Sequence, residues 1–154
     1  MNEAVSVPTV QRAGLDDLDA LAPLFDQYRG FYHQPSDVAL ARRFLSQRLE
    51  RNESVVFIAR LDGRPAGFTQ LYPTFSSVRA ARVWVLNDLF VVQDARRHGV
   101  AQALIEAAAG FARHDGAIRL ELETMPDNRI AQTLYEAVGW QRYDDTLRYH
   151  LPLA

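Results

Sequence analysis

Cysteine is absent from this 154-residue chain. That excludes disulfides, zinc–thiolate sites and a cysteine nucleophile. No stretch reaches the roughly 18 apolar residues that a membrane-spanning helix needs. Residues 1–8 lack the basic-then-apolar order of a secretory leader. A cytoplasmic protein with no membrane partner is therefore expected. Positive charge is also in short supply. Seventeen Lys and Arg face nineteen Asp and Glu, a formal net charge of −2. Arg42-Arg43 and Arg96-Arg97 are pairs rather than patches, so the basic footprint of a nucleic-acid binder is missing. His33, His98, His114 and His150 show no His-x-x-x-His spacing, and no metal is expected; they read as surface or packing residues. Neither Gly-x-x-x-x-Gly-Lys-Ser/Thr nor Gly-x-Gly-x-x-Gly occurs, which removes the P-loop and the dinucleotide fingerprint.

What remains is an ordinary globular composition, 48% apolar and 23% charged. Its length suits one domain, expected over residues 9–154 after a short extension, 1–8. Residues 9–12 predict a strand. Leu15, Leu18, Leu21, Leu24, Phe25 and Tyr28 recur at helical spacing, predicting a helix to about Tyr32. Gly30 and Pro35 break it, and Ser36 is the expected N-cap of a second helix running to about Arg51. Residues 54–61 and 65–72 predict a hairpin about Asp62-Gly63, and 73–79 a polar, flexible connection. The apolar run 82–92 predicts a central strand buried on both faces. An Ala-rich helix over 99–114 follows, then a strand over 118–123 pairing in parallel, then a short helix capped by Asn128. Residues 140–143 and 147–151 predict a closing hairpin. The order is mixed α/β, with helices covering a sheet. Trp84 and Trp140 are expected in the core.

The chemistry-bearing stretch begins where the central strand ends. Leu89, Phe90 and Val91 run into Arg96-Arg97-His98-Gly99-Val100-Ala101-Gln102, an Arg-x-x-Gly-x-Ala turn that opens a helix. A helix start carries unpaired N–H groups and about half a positive charge. Small residues let an anion approach that backbone closely. Taken alone, the pattern predicts anion binding and nothing finer.

Its context carries more. The turn follows a buried strand and precedes a helix and a further strand. Then comes Asn128-x-x-Ala131-x-x-x-Tyr135-Glu136-x-x-Gly139-Trp140. Together these resemble the two motifs of the GNAT acetyltransferase superfamily, over about residues 9–151. Phe31-Tyr32-His33, Tyr72-Pro73-Thr74-Phe75 and Leu86-Asn87-Asp88-Leu89-Phe90-Val91 resemble its spermidine/spermine and thialysine N-acetyltransferase branch.

The resemblance implies a fold, a donor and a set of roles. The fold is a twisted, mostly antiparallel sheet of about seven strands, with a parallel pair splayed at the cofactor site and helices on both faces. The donor is acetyl-CoA. Leu89, Phe90 and Val91 pair their backbone with its pantetheine arm. Arg96, Arg97, His98, Gly99, Val100, Ala101 and Gln102 hold its pyrophosphate, and Asn128 touches it from the other side. Tyr135 matches the residue that protonates the departing thiolate. A backbone N–H near Val91 steadies the oxyanion. A small-molecule primary amine is the implied acceptor, polyamine-like or amino-acid-like, and a homodimer the implied assembly.

Deprotonating the amine needs a base, and Asp88, Glu121 and Glu123 are candidates. The branch carries Glu-Asp where this chain has Asn87-Asp88, which withdraws one charge from a polyamine. In a regular strand Asn87 and Asp88 face opposite ways; a bulge would change that. Tyr32, Gln34, Asn87, Asp88 and Glu123 are the candidate acceptor contacts. Plainer readings stand beside these: Tyr135 as a packed aromatic, Asp88 as a structural acceptor, Asn128 as a helix cap, and Tyr32, Gln34 and Asp37 as a helix–helix turn. Two other functions fit the same motifs: a non-catalytic acyl-CoA sensor, or an acetyltransferase acting on protein amines.

Overall fold

A computed structural model describes residues 6–154. Residues 1–5 of the expected extension lie outside the described residues. The chain forms two compact units, the first ending at Glu123 and the second spanning Thr124–Ala154.

The first unit is built on a five-stranded sheet in the order β1-β2-β3-β4-β5. These are β1 (Thr9–Arg12), β2 (Val55–Leu61), β3 (Arg64–Ser76), β4 (Ala81–Val91) and β5 (Arg119–Glu121). Neighbours pair antiparallel except β4 and β5, which run parallel from Val83↔Arg119 to Val85↔Glu121. The parallel pair requires a crossover. Helix α3 (Val100–His114) supplies it and covers one face through Leu104, Ala108 and Phe111. Phe111 packs edge-on against Trp84, with ring centres 5.0 Å apart. Helices α1 (Leu18–Phe31) and α2 (Val38–Glu50) lie over the other face. There Leu21, Leu24, Phe25 and Leu45 bury against Val56, Ile58 and Phe68. Alternation along β2 explains the division: Val56 and Ile58 go to this cluster, while Phe57 meets Phe111 at 6.0 Å.

Several expectations are corrected. The first helix starts later, because a 3₁₀ turn (Leu15–Asp17) precedes it, closed by the Gly14 N–H donating to Asp17 Oδ2 at 2.9 Å. Asp37, not Ser36, caps α2, accepting from the Leu40 N–H at 3.0 Å. Ser36 is drawn away by the buried Asp26, to which its hydroxyl donates at 2.7 Å; the Asp37 N–H donates to the same carboxylate at 2.7 Å. Residues 73–79 are no loose connection. β3 and β4 stay paired out to Ser76↔Ala81, and only the turn at Ser77–Ala80 is free of the ladder. Pro73 is tolerated because β2 ends its pairing at Leu71, so the missing N–H faces no partner strand. The strand expected over 118–123 is shorter, Arg119–Glu121.

The second unit holds helix α4 (Arg129–Ala137), capped by Asn128 Oδ1 accepting from the Ala131 N–H at 3.2 Å. The closing hairpin does not form among the described residues, so the sheet has five strands rather than about seven. Tyr143, Leu147, Tyr149 and Leu151 are all exposed. Alternating apolar residues make a strand only where a neighbouring ladder takes up their N–H and C=O groups. Trp84 is buried as expected, whereas Trp140 is half-buried. All four histidines are exposed. Among the described residues no helix is long and apolar enough to cross a membrane.

Candidate active site

The site grows from the last third of β4. The Val92 N–H donates to the Ala66 carbonyl at 2.9 Å, toward β3. Backbone direction alternates along an antiparallel strand. The N–H and C=O groups of Leu89 and Val91 therefore point away from β3, toward the side where β5 pairs lower down. β5 leaves β4 after Val85. Beyond it, Leu89 and Val91 present an open edge within the first unit. Arg96 confirms the direction, its Nε donating to the Val91 carbonyl at 3.3 Å. On the closed side β3 comes unusually near: a Cβ on Gly67 would lie 2.4 Å from the Phe90 carbonyl oxygen.

A 3₁₀ turn (Gln93–Ala95) then leads to α3. Arg97 and Gly99 both take left-handed backbone, φ 66° and 76°. Gly99 is the N-cap and offers no side chain to the helix start. The first intrahelical bond is Ala103 N–H to Gly99 C=O at 3.0 Å, so the N–H groups of Val100, Ala101 and Gln102 have no partner within the helix. The Gln102 side chain turns away to Glu106, its Nε2 donating at 3.1 Å. Arg96, Arg97 and His98 are exposed around this start, and Val100 anchors it in the core. The donor set of backbone N–H groups beside arginines fits a pyrophosphate. The open edge above it fits an amide-bearing arm.

Asp88 is different in kind. It is only 3% exposed, although it carries a carboxylate. Asn87 has no partner on β3, where pairing jumps from Gln70↔Asp88 to Leu71↔Leu86. That bulge lets both side chains meet: Asn87 Nδ2 donates to Asp88 Oδ1 at 2.9 Å. Gln70 Nε2 donates to Oδ2 at 2.6 Å. The Tyr28 hydroxyl faces the same carboxylate. Burial pushes the Asp88 carboxyl above its ordinary range, and the hydrogen bonds from Gln70, Asn87 and Tyr28 oppose this only in part. Tyr28 and Tyr72 are in turn pushed up, first by burial and then by the Asp88 charge. Asp88 is thus a carboxylate with raised proton affinity.

The remaining candidates fall in different places. Tyr32, half exposed, packs its ring 5.1 Å from Tyr28 and so borders the Asp88 cluster. Gln34 is exposed, and its N–H ends α1 by donating to the Arg29 carbonyl at 3.1 Å. Glu121 is exposed and paired with Arg119 at 2.7 Å. Glu123 is exposed and closes the first unit. Asn128 and Tyr135 belong to the second unit, where the Tyr135 ring lies 5.9 Å from Trp140. Sequence reasoning missed Gln70 and Tyr28. Gln70 sits mid-strand with no motif around it, and Tyr28 looks like one more apolar-face residue of α1.

The acetyltransferase (GNAT) family model matches residues 18–140, most of the chain. The protein belongs to the GNAT acetyltransferase family. An uncharacterized N-acetyltransferase from Bacillus subtilis (strain 168), YhfO, is 48% identical over 142 residues, 92% of this chain and 95% of that protein. A thialysine N-epsilon-acetyltransferase from Caenorhabditis elegans is 28% identical over 130 residues, 81% of this chain and 78% of that protein. Among solved structures, a probable acetyltransferase superposes with a TM-score of 0.89 at 43% identity, covering 95% of this chain and 98% of that one. This GNAT chain is therefore an acyltransferase with a mixed α/β fold. The parallel β4–β5 pair is the one that the resemblance implied, and its pairing ends at Val85↔Glu121.

Proposed function

We propose that this enzyme moves an acetyl group from acetyl-CoA to a primary amine of a small molecule. One observation carries the reading: β4 bears a buried carboxylate at Asp88, an open backbone edge at Leu89 and Val91, and then an uncapped helix start. Bound acetyl-CoA supplies an activated acetyl thioester. The Leu89 and Val91 backbone holds its arm, and the N–H groups of Val100, Ala101 and Gln102, with Arg96, take its phosphates. The Val91 N–H is placed to donate to an oxygen that gains negative charge as the amine attacks. Asp88 takes a proton from the incoming ammonium, a task suited to a carboxylate whose proton affinity burial has raised. Tyr135 is assigned the protonation of the leaving sulfur on the strength of the Tyr135–Trp140 motif. Asn128 is assigned to the cofactor on the same ground, in addition to its role as a cap. A cytoplasmic homodimer completes the reading by family resemblance.

Asn87 bears on the acceptor. Its amide is a neutral donor to Asp88, where the polyamine-acetylating branch carries a second acid. One buried negative charge suits a monoamine head group better than an extended polycation. The test has two stages. Saturating acetyl-CoA raises the melting temperature; no shift refutes the donor reading. An amine panel read by free-thiol release then finds the acceptor class. The chain has no lysine, so self-acetylation at lysine adds no background. Tyr135→Phe is expected to cut turnover about ten-fold or more with little change in acetyl-CoA affinity; unchanged turnover removes Tyr135 from its role.

A further inference from the structure

Gln70 lies in the centre of β3 with its side chain fully buried. Its amide orientation is set by chemistry: Nε2 must face the Asp88 carboxylate, since a carbonyl there would repel it. The consequence falls on the other end of the same amide. Among the described residues Gln70 Oε1 is buried and has no hydrogen-bond partner. Buried acceptors are ordinarily satisfied, so an orphan calls for a donor that arrives from outside. Beside it, Asp88 forms no ion pair with any described residue of the first unit. Within the first unit that buried charge is met by hydrogen bonds alone. Both deficits lie within reach of one head group, because Gln70 Oε1 belongs to the amide that already touches Asp88.

The two deficits share a remedy. A cation carrying several N–H donors would satisfy the orphan carbonyl and neutralise the carboxylate together. Asn87 is exposed, and its amide is the neutral donor covering Asp88 Oδ1. The bond from Gln70 goes to the other oxygen, Asp88 Oδ2.

We infer that Gln70 is a specificity-determining residue, whose side-chain carbonyl and the Asp88 carboxylate together receive the primary ammonium of the acceptor. The inference rests on the acetyltransferase reading and adds a selection rule. A primary ammonium offers three donors and can serve both acceptors. A quaternary ammonium offers charge but no N–H, and leaves Gln70 Oε1 unsatisfied.

The test is binding to the coenzyme A-loaded protein, with butylammonium and butyltrimethylammonium chlorides as probes and melting temperature as the readout. Butylammonium is expected to raise the melting temperature, and butyltrimethylammonium to do so far less. Gln70→Met is expected to weaken butylammonium about ten-fold or more, the size of a lost hydrogen bond to a charged group. Equal shifts from the two cations, no shift from butylammonium, or full retention in Gln70→Met would each overturn the inference. Absence of any response to coenzyme A itself strikes instead at the donor reading, so the two failures are distinguishable. Should Gln70→Met not fold, the wild type still decides. The Gln70 side-chain amide resonances are expected to move with butylammonium and not with its trimethyl counterpart; resonances that stay still overturn the inference.

Discussion

Leu89 and Val91 offer backbone, whereas Asp88 just before them offers a side chain, and the two are prepared in opposite ways. The donor end, from Leu89 to Gln102, uses peptide groups that an open strand edge and an uncapped helix leave unpaired. The Asp88 carboxylate is buried and is held by Gln70, Asn87 and Tyr28, drawn from β3, β4 and α1. Backbone groups tolerate most substitutions that preserve conformation. A buried side-chain network tolerates few, since each polar partner removed strands another. Donor binding should therefore survive single side-chain changes that abolish acceptor chemistry.

The largest expected effect lies at Asp88. Asp88→Asn keeps size and removes the base, and should lower kcat at least about a hundred-fold while the acetyl-CoA thermal shift persists. Equal loss of both would collapse the distinction between the two regions. Next comes Gly67→Ala, which drives a Cβ into the Phe90 carbonyl and has no flexible neighbour to yield. A destabilisation of about 1–3 kcal/mol is expected by urea unfolding, with acetyl-CoA binding weakened because Leu89 and Val91 move with β4. Wild-type stability would show that the backbone frame is looser than the close approach implies.

A third prediction sets Asp88 against Asp26 in pH. Burial raises the Asp88 pKa in the folded state, so its favourable contribution is complete below the ordinary carboxylate pKa and lost as pH rises through the raised value. Asp26 behaves oppositely. Hydrogen bonds from Ser36 and the Asp37 N–H lower its pKa, so its contribution is present above the ordinary value and lost as pH falls through the lowered one. Asp88→Asn should thus gain stability relative to wild type as pH rises toward neutrality, and Asp26→Asn should lose it. Urea unfolding across pH checks both slopes, and parallel slopes would refute the contrast. The smallest effect is at Arg96. Its side chain is exposed, so Arg96→Ala should weaken acetyl-CoA only a few-fold, less still in high salt. A large loss would mean that the phosphates depend on this guanidinium more than on the helix start.

How far residues alone could lead differs between the same two regions. The Arg-x-x-Gly-x-Ala turn is contiguous, its chemistry is that of a helix start, and Gly99 marks the left-handed N-cap directly. The parallel crossover from β4 through α3 to β5 was likewise readable, since a buried strand, a helix and a strand admit one hand of connection. The closing hairpin does not form, because residues 140–151 have the right alternation but no ladder in their own unit. Ser36 has the chemistry of a cap, but nothing local reveals that Asp26, ten residues earlier, takes its hydroxyl.

Order along the chain therefore determined the family, the donor turn and the sheet's parallel pair, because each depends on neighbours a few residues apart. Only the tertiary structure decided what Asp88 is. The bulge at Asn87, the Gln70 amide from across the ladder and the Tyr28 hydroxyl from α1 reach it over separations that no local spacing encodes. Burial then sets its proton affinity, because the energy of a charge depends on everything packed around it.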